Sequence, residues 1–121
     1  MTGVLVALAA GIGALTRYVV DEFVEHRTRG ALPLGTMLVN VTGAFALGVV
    51  TGLAIHHGFD ADTATVPGDG FAGGYTTLST WAWESLALGE AGEWSAAVIA
   101  GAGSVALGLA ASAAGLGVGL L

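Results

Sequence analysis

The sequence predicts an all-α membrane protein with four transmembrane helices, and three observations predict it. Hydrophobic residues make up 55% of the 121-residue chain before its 21 glycines are counted, and only 10% of residues are charged. The mean hydropathy of +0.81 suits no water-facing domain of this size, because a small domain keeps much of its surface wet. Finally, residues 1–16, 30–59, 70–83 and 94–121 carry no charge at all. An apolar helix needs about 20 residues to cross a bilayer core, so four crossings use about 80 and leave only short connections. The chain is expected in the cell membrane, surrounded by lipid, as a single domain over residues 1–121 with no soluble part.

The first span is expected over residues 3–20. It lacks a basic n-region and a small-residue cleavage site, so it reads as a retained helix and not a signal peptide. It ends at Arg17-Tyr18, an interfacial anchor pair or, if the arginine faces inward, a group that holds carbonyls or attracts anions. The second span, 34–55, opens after Pro33, where proline is tolerated at a helix start. A polar connection with a Pro67-Gly68 turn signal leads to the third span at 70–88. Gly89 to Glu93 turns the chain into the fourth, 95–119. Arg27 and Arg29, with Arg17 close by, place the first connection in the cytoplasm and both termini outside.

Composition also removes several functions. Without cysteine there is no disulfide, thiolate metal site or cysteine nucleophile. His26, His56 and His57 all fall near predicted helix ends, which disfavours a buried zinc site. A net charge of −6 with three arginines and no lysine argues against a nucleic-acid partner. No nucleophile, base and acid converge on one face, so an enzyme is not expected. The acidic residues Asp21, Glu22, Glu25, Asp60, Asp62, Asp69, Glu90 and Glu93 sit in connections, as ordinary solvated loops or as adaptation to high salt.

Small residues recur at Gly43, Gly48 and Gly52, and at Ala100, Ser104, Gly108 and Ser112. Such spacing lets helix backbones approach within lipid, where packing drives association. Ser104 and Ser112 are also candidates to line a polar path. Asn40, midway along the second span, is either helix glue or part of such a path. The third span carries Gly73-Gly74-Tyr75-Thr76-Thr77-Leu78-Ser79-Thr80-Trp81, a poor regular helix, because glycine is costly there and hydroxyls compete for backbone bonds. A broken helix at membrane depth requires protein or a water-filled cavity to satisfy the freed groups. Freed carbonyls can coordinate a cation, while freed N–H groups and hydroxyls can donate to an anion. Glu84, one turn past Trp81, is a water-boundary or vestibule carboxylate.

Three ordered motifs make the chain resemble the Fluc/CrcB family of fluoride channels over nearly its whole length. They are Gly11-Ile12-Gly13-Ala14-Leu15-Thr16-Arg17-Tyr18, the segment Gly35-Thr36-Met37-Leu38-Val39-Asn40-Val41-Thr42-Gly43-Ala44-Phe45, and Gly73 through Trp81. The resemblance implies a passive, fluoride-selective channel built as an antiparallel, dual-topology dimer of four-helix subunits with a break in the third helix. It implies two fluoride pathways and one central structural Na+ that is not transported. The sodium ligands would be the backbone carbonyls of Gly73 and Thr76 with their symmetric pair. Asn40 would point into the fluoride path as an amide donor, with Thr77, Ser79 and Thr80 lining or supporting it. Arg17 would act near the pore, and Glu84 near one mouth.

The chain departs from the family pattern at two positions where phenylalanine is usual, Leu78 and Trp81. A ring edge is electropositive and can contact a dehydrated anion. Trp81 keeps an edge and adds an indole N–H, whereas Leu78 offers neither. The chain is therefore expected to conduct as a homodimer through a modified path, or to pair as a heterodimer with an oppositely oriented related subunit. The arginine bias favours the heterodimer. Rival classes are a small multidrug-type transporter, which needs a carboxylate that residues 1–16 lack, and a non-conducting subunit.

Overall fold

A computed structural model describes all residues 1–121, and every regular element in it is helical. Helix α1 spans Thr2–Arg27 and α2 spans Leu34–His57. Helix α3 covers residues 61–75, with Ala61–Thr65, a stretch of wide i→i+5 turns at Val66–Ala72, and Gly73–Tyr75. Helix α4 is Ser79–Glu90, and α5 is Trp94–Gly119, with a second wide stretch at Ile99–Gly103. Three of these helices, α1, α2 and α5, are long and apolar enough to cross a membrane.

The helix ends follow local chemistry. His26 and Arg27 close α1, and His56 and His57 close α2, where side chains that can carry positive charge complement the carbonyl end of the dipole. Arg27 also lies 3.6 Å over the Phe23 ring, a cation–π contact that covers the last turn. Gly58 stops α2 in the left-handed conformation (φ 65°), which side-chain-bearing residues avoid. Asp60 caps α3 by accepting from the Thr63 N–H at 3.0 Å, and hydrogen bonding from the Thr63 side chain and backbone holds its carboxyl pKa below the ordinary value.

Glycines let these helices touch backbone to backbone. The most extensive contact joins α2 to the 104–119 part of α5. A Cβ on Gly52 would stand 2.6 Å from the Leu116 carbonyl oxygen, and one on Gly115 would stand 3.0 Å from the Val49 nitrogen. On the other side α1 packs against residues 66–75, where a Cβ on Gly13 would lie 2.8 Å from the Tyr75 nitrogen. The stripe expected from four-residue spacing in α5 holds in part: Ala100 and Ser104 are buried, and the Ser112 backbone lies against Gly48. Gly108 faces open space, and Gly115 and Gly119 extend the close approach.

Only 17 of 121 residues are buried, and Val39 is the sole large side chain that is fully enclosed. Leucines, valines and isoleucines along α1, α2 and α5 instead line the exterior. That inversion suits a solvent of lipid tails, in which helices associate by packing and not by escape from water.

Candidate functional site

The site is organised by the gap between α3 and α4. The last helical bond of α3 runs from the Thr76 N–H to the Ala72 carbonyl at 3.0 Å. Thr76 then turns extended (φ −81°, ψ 161°), and the ladder restarts with the Ala82 N–H on the Leu78 carbonyl at 2.9 Å. An interrupted ladder leaves peptide groups without partners, and each must be met by something else in an apolar surround.

Side chains meet several of them. Asn40 on α2 donates from Nδ2 to the Thr77 carbonyl at 2.9 Å and accepts the Thr77 N–H on Oδ1 at 2.8 Å. Arg17 on α1 donates from Nη1 to the Thr76 carbonyl at 3.1 Å. The Thr77 hydroxyl accepts from the Thr80 N–H at 3.3 Å, a weak cap on the first turn of α4. Thr42 and Tyr75 share a hydroxyl–hydroxyl bond of 2.9 Å just before the gap, where Tyr75 also stacks on Phe71. Several groups around the gap stay free of backbone partners, among them the Leu78 N–H, the Gly74 carbonyl it would ordinarily meet, the Trp81 N–H, and the carbonyl of Gly73, whose ordinary helical donor would be the Thr77 N–H now held by Asn40.

A cavity of about 560 Å³ opens beside the gap. Its walls include Asn40, Gly73, Thr76, Thr77, Leu78 and Trp81, so six of the residues singled out in the sequence come together there. Leu78 is 76% exposed, and Ser79 and Thr80 also face outward. Ser104 joins the same wall, almost wholly buried, with a hydroxyl that has no partner. Arg17 touches the site only through Thr76.

Trp81 differs from the expectation. Its indole N–H donates to the Ala100 carbonyl at 2.9 Å, in the wide-turn stretch of α5. The N–H is therefore a strut between helices, and only the ring is left to face the cavity.

Glu84 stands apart. It lines a second cavity of about 490 Å³ with Glu25, Thr28, Pro33 and Trp83 at one end of the bundle. Buried Thr36 donates to Glu84 Oε1 at 3.1 Å, while Oε2 is buried without a partner. Sequence reasoning missed Thr36. The available signal was its position one turn before Asn40, which puts both polar side chains on one face of α2.

The oxygen set suits a hard monovalent cation such as sodium. Gly73 offers a carbonyl that accepts no backbone hydrogen bond, and Thr76 offers one with a second lone pair beyond the Arg17 bond. Both residues line the same cavity wall.

Residues 4–116 match the family described as CrcB-like protein, Camphor Resistance (CrcB). A protein of Leifsonia xyli named "Fluoride-specific ion channel FluC 1" is 43% identical over 114 residues, covering 94% of this chain and 83% of its own. "Fluoride-specific ion channel FluC" of Nitratidesulfovibrio vulgaris is 41% identical over 119 residues, covering 98% and 96%. "Fluoride-specific ion channel FluC 2" of Mycobacterium tuberculosis is 44% identical over 110 residues, covering 91% and 84%. These relatives are ion channels by name and not enzymes.

Proposed function

We propose that this chain, which belongs to the CrcB family and is a multi-pass integral membrane protein, is a subunit of a fluoride channel that lowers cytoplasmic fluoride by passive export. The observation that carries the reading is the double hydrogen bond by which Asn40 holds the α3–α4 gap open beside the cavity. On this reading α3 and α4 together form one interrupted crossing, the third of four.

Fluoride holds its water tightly, so a path must replace that shell with converging donors. The Asn40 amide has a second N–H beyond the one given to Thr77. The Leu78 N–H is free, and the hydroxyls of Ser79 and Thr80 face outward from the same turn. Arg17 places positive charge behind Thr76, and the Trp81 ring supplies an edge. Glu84 and Thr36 would stand at a mouth of the path. No gate or energy source is required. Hydrogen fluoride enters as a neutral acid and dissociates, and a negative interior drives the anion out with about 2.3 kcal/mol per charge per 100 mV.

The donors that face outward from a single chain need a companion to enclose them, which supports an antiparallel dimer. The carbonyls of Gly73 and Thr76 would hold the structural Na+ with their counterparts. Bound there, the ion would fix the two broken helices against each other by neutralising their carbonyl dipoles. A second reading, partnership with an oppositely oriented related subunit, is supported by Leu78, which puts an aliphatic side chain at the exposed turn, and by the arginines of the first connection.

Fluoride efflux from liposomes holding this chain alone, with sodium present and a valinomycin-clamped potassium gradient, tests the proposal. Fluoride efflux without matching chloride efflux is expected of a homodimeric channel. A folded chain that releases no fluoride until a related subunit is added would be one half of a heterodimer.

A further inference from the structure

Asp69 is the only ionisable residue in the wall of the cavity beside the α3–α4 gap. It is exposed there, four residues before Gly73 on the same helix, so the two lie on one face. The groups that share the cavity with it are Asn40, Ala44 and Leu47 from α2 and Ser104 and Val105 from α5, none of which is cationic. Nor does the chain hold a cation in reserve for it. Arg17 is bonded to the Thr76 carbonyl, Arg27 lies over Phe23, Arg29 sits in the first connection, and lysine is absent. The one ion pair in the chain is His26 with Glu22. If α3 lies in the third crossing proposed above, a carboxylate on it is costly unless it faces a polar cavity and finds a counter-charge.

A second imbalance lies next to the first. Arg17 puts a positive charge on one of the two carbonyls expected to hold sodium, and a like charge disfavours a cation there. We infer that Asp69 is an outer carboxylate of the cation site, offsetting Arg17, drawing sodium into the cavity and tightening its hold on the Gly73 and Thr76 carbonyls. The inference rests on the sodium reading above and deepens it with a residue of this chain.

Thermal melting of the purified full chain in detergent tests it, with sodium chloride exchanged stepwise for choline chloride so that ionic strength stays fixed. The melting midpoint of the wild type should rise with sodium. In Asp69→Asn the half-effective sodium concentration should move about ten-fold higher, as expected for loss of one nearby unit charge acting through a partly screened medium. Asp69→Glu should restore most of the shift. Asp69→Ser repeats the measurement if the amide impairs folding. An unchanged half-effective concentration would overturn the role of Asp69 while leaving the sodium site standing. Equal destabilisation at every sodium concentration would also overturn it, marking Asp69 as a packing or partner contact. A wild type whose melting ignores sodium would sink the sodium reading and this inference with it.

Discussion

Asn40 and Thr77 exchange two hydrogen bonds, 2.9 Å from the amide to the carbonyl and 2.8 Å from the backbone N–H to the amide oxygen. One side chain on α2 thus takes both places that helical neighbours would fill for Thr77. The gap between α3 and α4 is held as firmly as a regular turn, but from a different helix.

Removing that clamp should therefore damage fold and transport together. Asn40→Ala leaves a half-buried N–H and carbonyl unpaired, each worth up to about 1–3 kcal/mol, and it deletes the amide donor. We predict a lower melting midpoint and weakened or abolished fluoride efflux. Asn40→Ala with unchanged efflux and intact assembly would remove the residue from the path.

Trp81→Phe separates the strut from the ring. The variant loses the bond to the Ala100 carbonyl and keeps an aromatic edge. Stability should fall by about 1 kcal/mol while fluoride efflux persists. Efflux abolished in a folded Trp81→Phe channel would mean that the N–H serves the ion after all.

Leu78→Phe adds an aromatic edge at a residue that is 76% exposed, so the single chain has room for it. Efflux from liposomes holding the chain alone should rise. If the rate stays flat, an edge at this position does not limit conduction.

Two glycine substitutions should behave oppositely. Gly52→Val drives methyl groups into the Leu116 carbonyl and the Gly119 backbone, and overpacking of this kind costs about 1–3 kcal/mol or more. Gly108→Ala meets nothing within 4 Å and should leave the fold unchanged or slightly firmer. Melting in detergent would show both.

Acid should loosen the start of α3. The Asp60 carboxylate has a folded pKa below its ordinary value of 3.8 because the Thr63 side chain and N–H bond the charged form. A depressed folded pKa contributes stability that is complete above the unfolded value and is lost as pH falls through that value and then the folded one. Amide exchange at Thr63 should therefore speed up as pH drops below the ordinary carboxylate range, after correction for intrinsic rates. Asp60→Asn keeps a capping oxygen and should flatten that response.

Much of this arrangement was legible in the sequence because lipid penalises exceptions. A lone amide in an apolar run and a Gly-Gly-Tyr-Thr-Thr segment are both costly, and the structure brings them into contact as Asn40 and Thr77. The partner of the Trp81 N–H was not legible, because it is a carbonyl released by the wide turns around Ala100, which leave no mark in residue identity. The α5 stripe failed at Gly108 for a geometric reason. Four residues turn a helix about 40° past a full revolution, so the row that starts at buried Ala100 and Ser104 has turned toward open space by Gly108. Eleven residues return almost to the same face, which is why Ser104 and Gly115 are both buried. The pairing of Thr36 with Glu84 was hidden because it joins the start of α2 to the middle of α4, a contact set by tertiary packing.

The free carbonyl of Gly73 and the free amide of Leu78 have a consequence for gene dosage. In the proposed dimer a companion chain would enclose these groups, whose exposure to lipid would cost several kcal/mol each, so on that proposal membership in a pair would depend on how often one copy meets another. At low copy number the output of the chain alone should then climb with the square of its abundance. A cell under sudden fluoride stress would gain more from doubling the transcript than a doubling of sites would suggest.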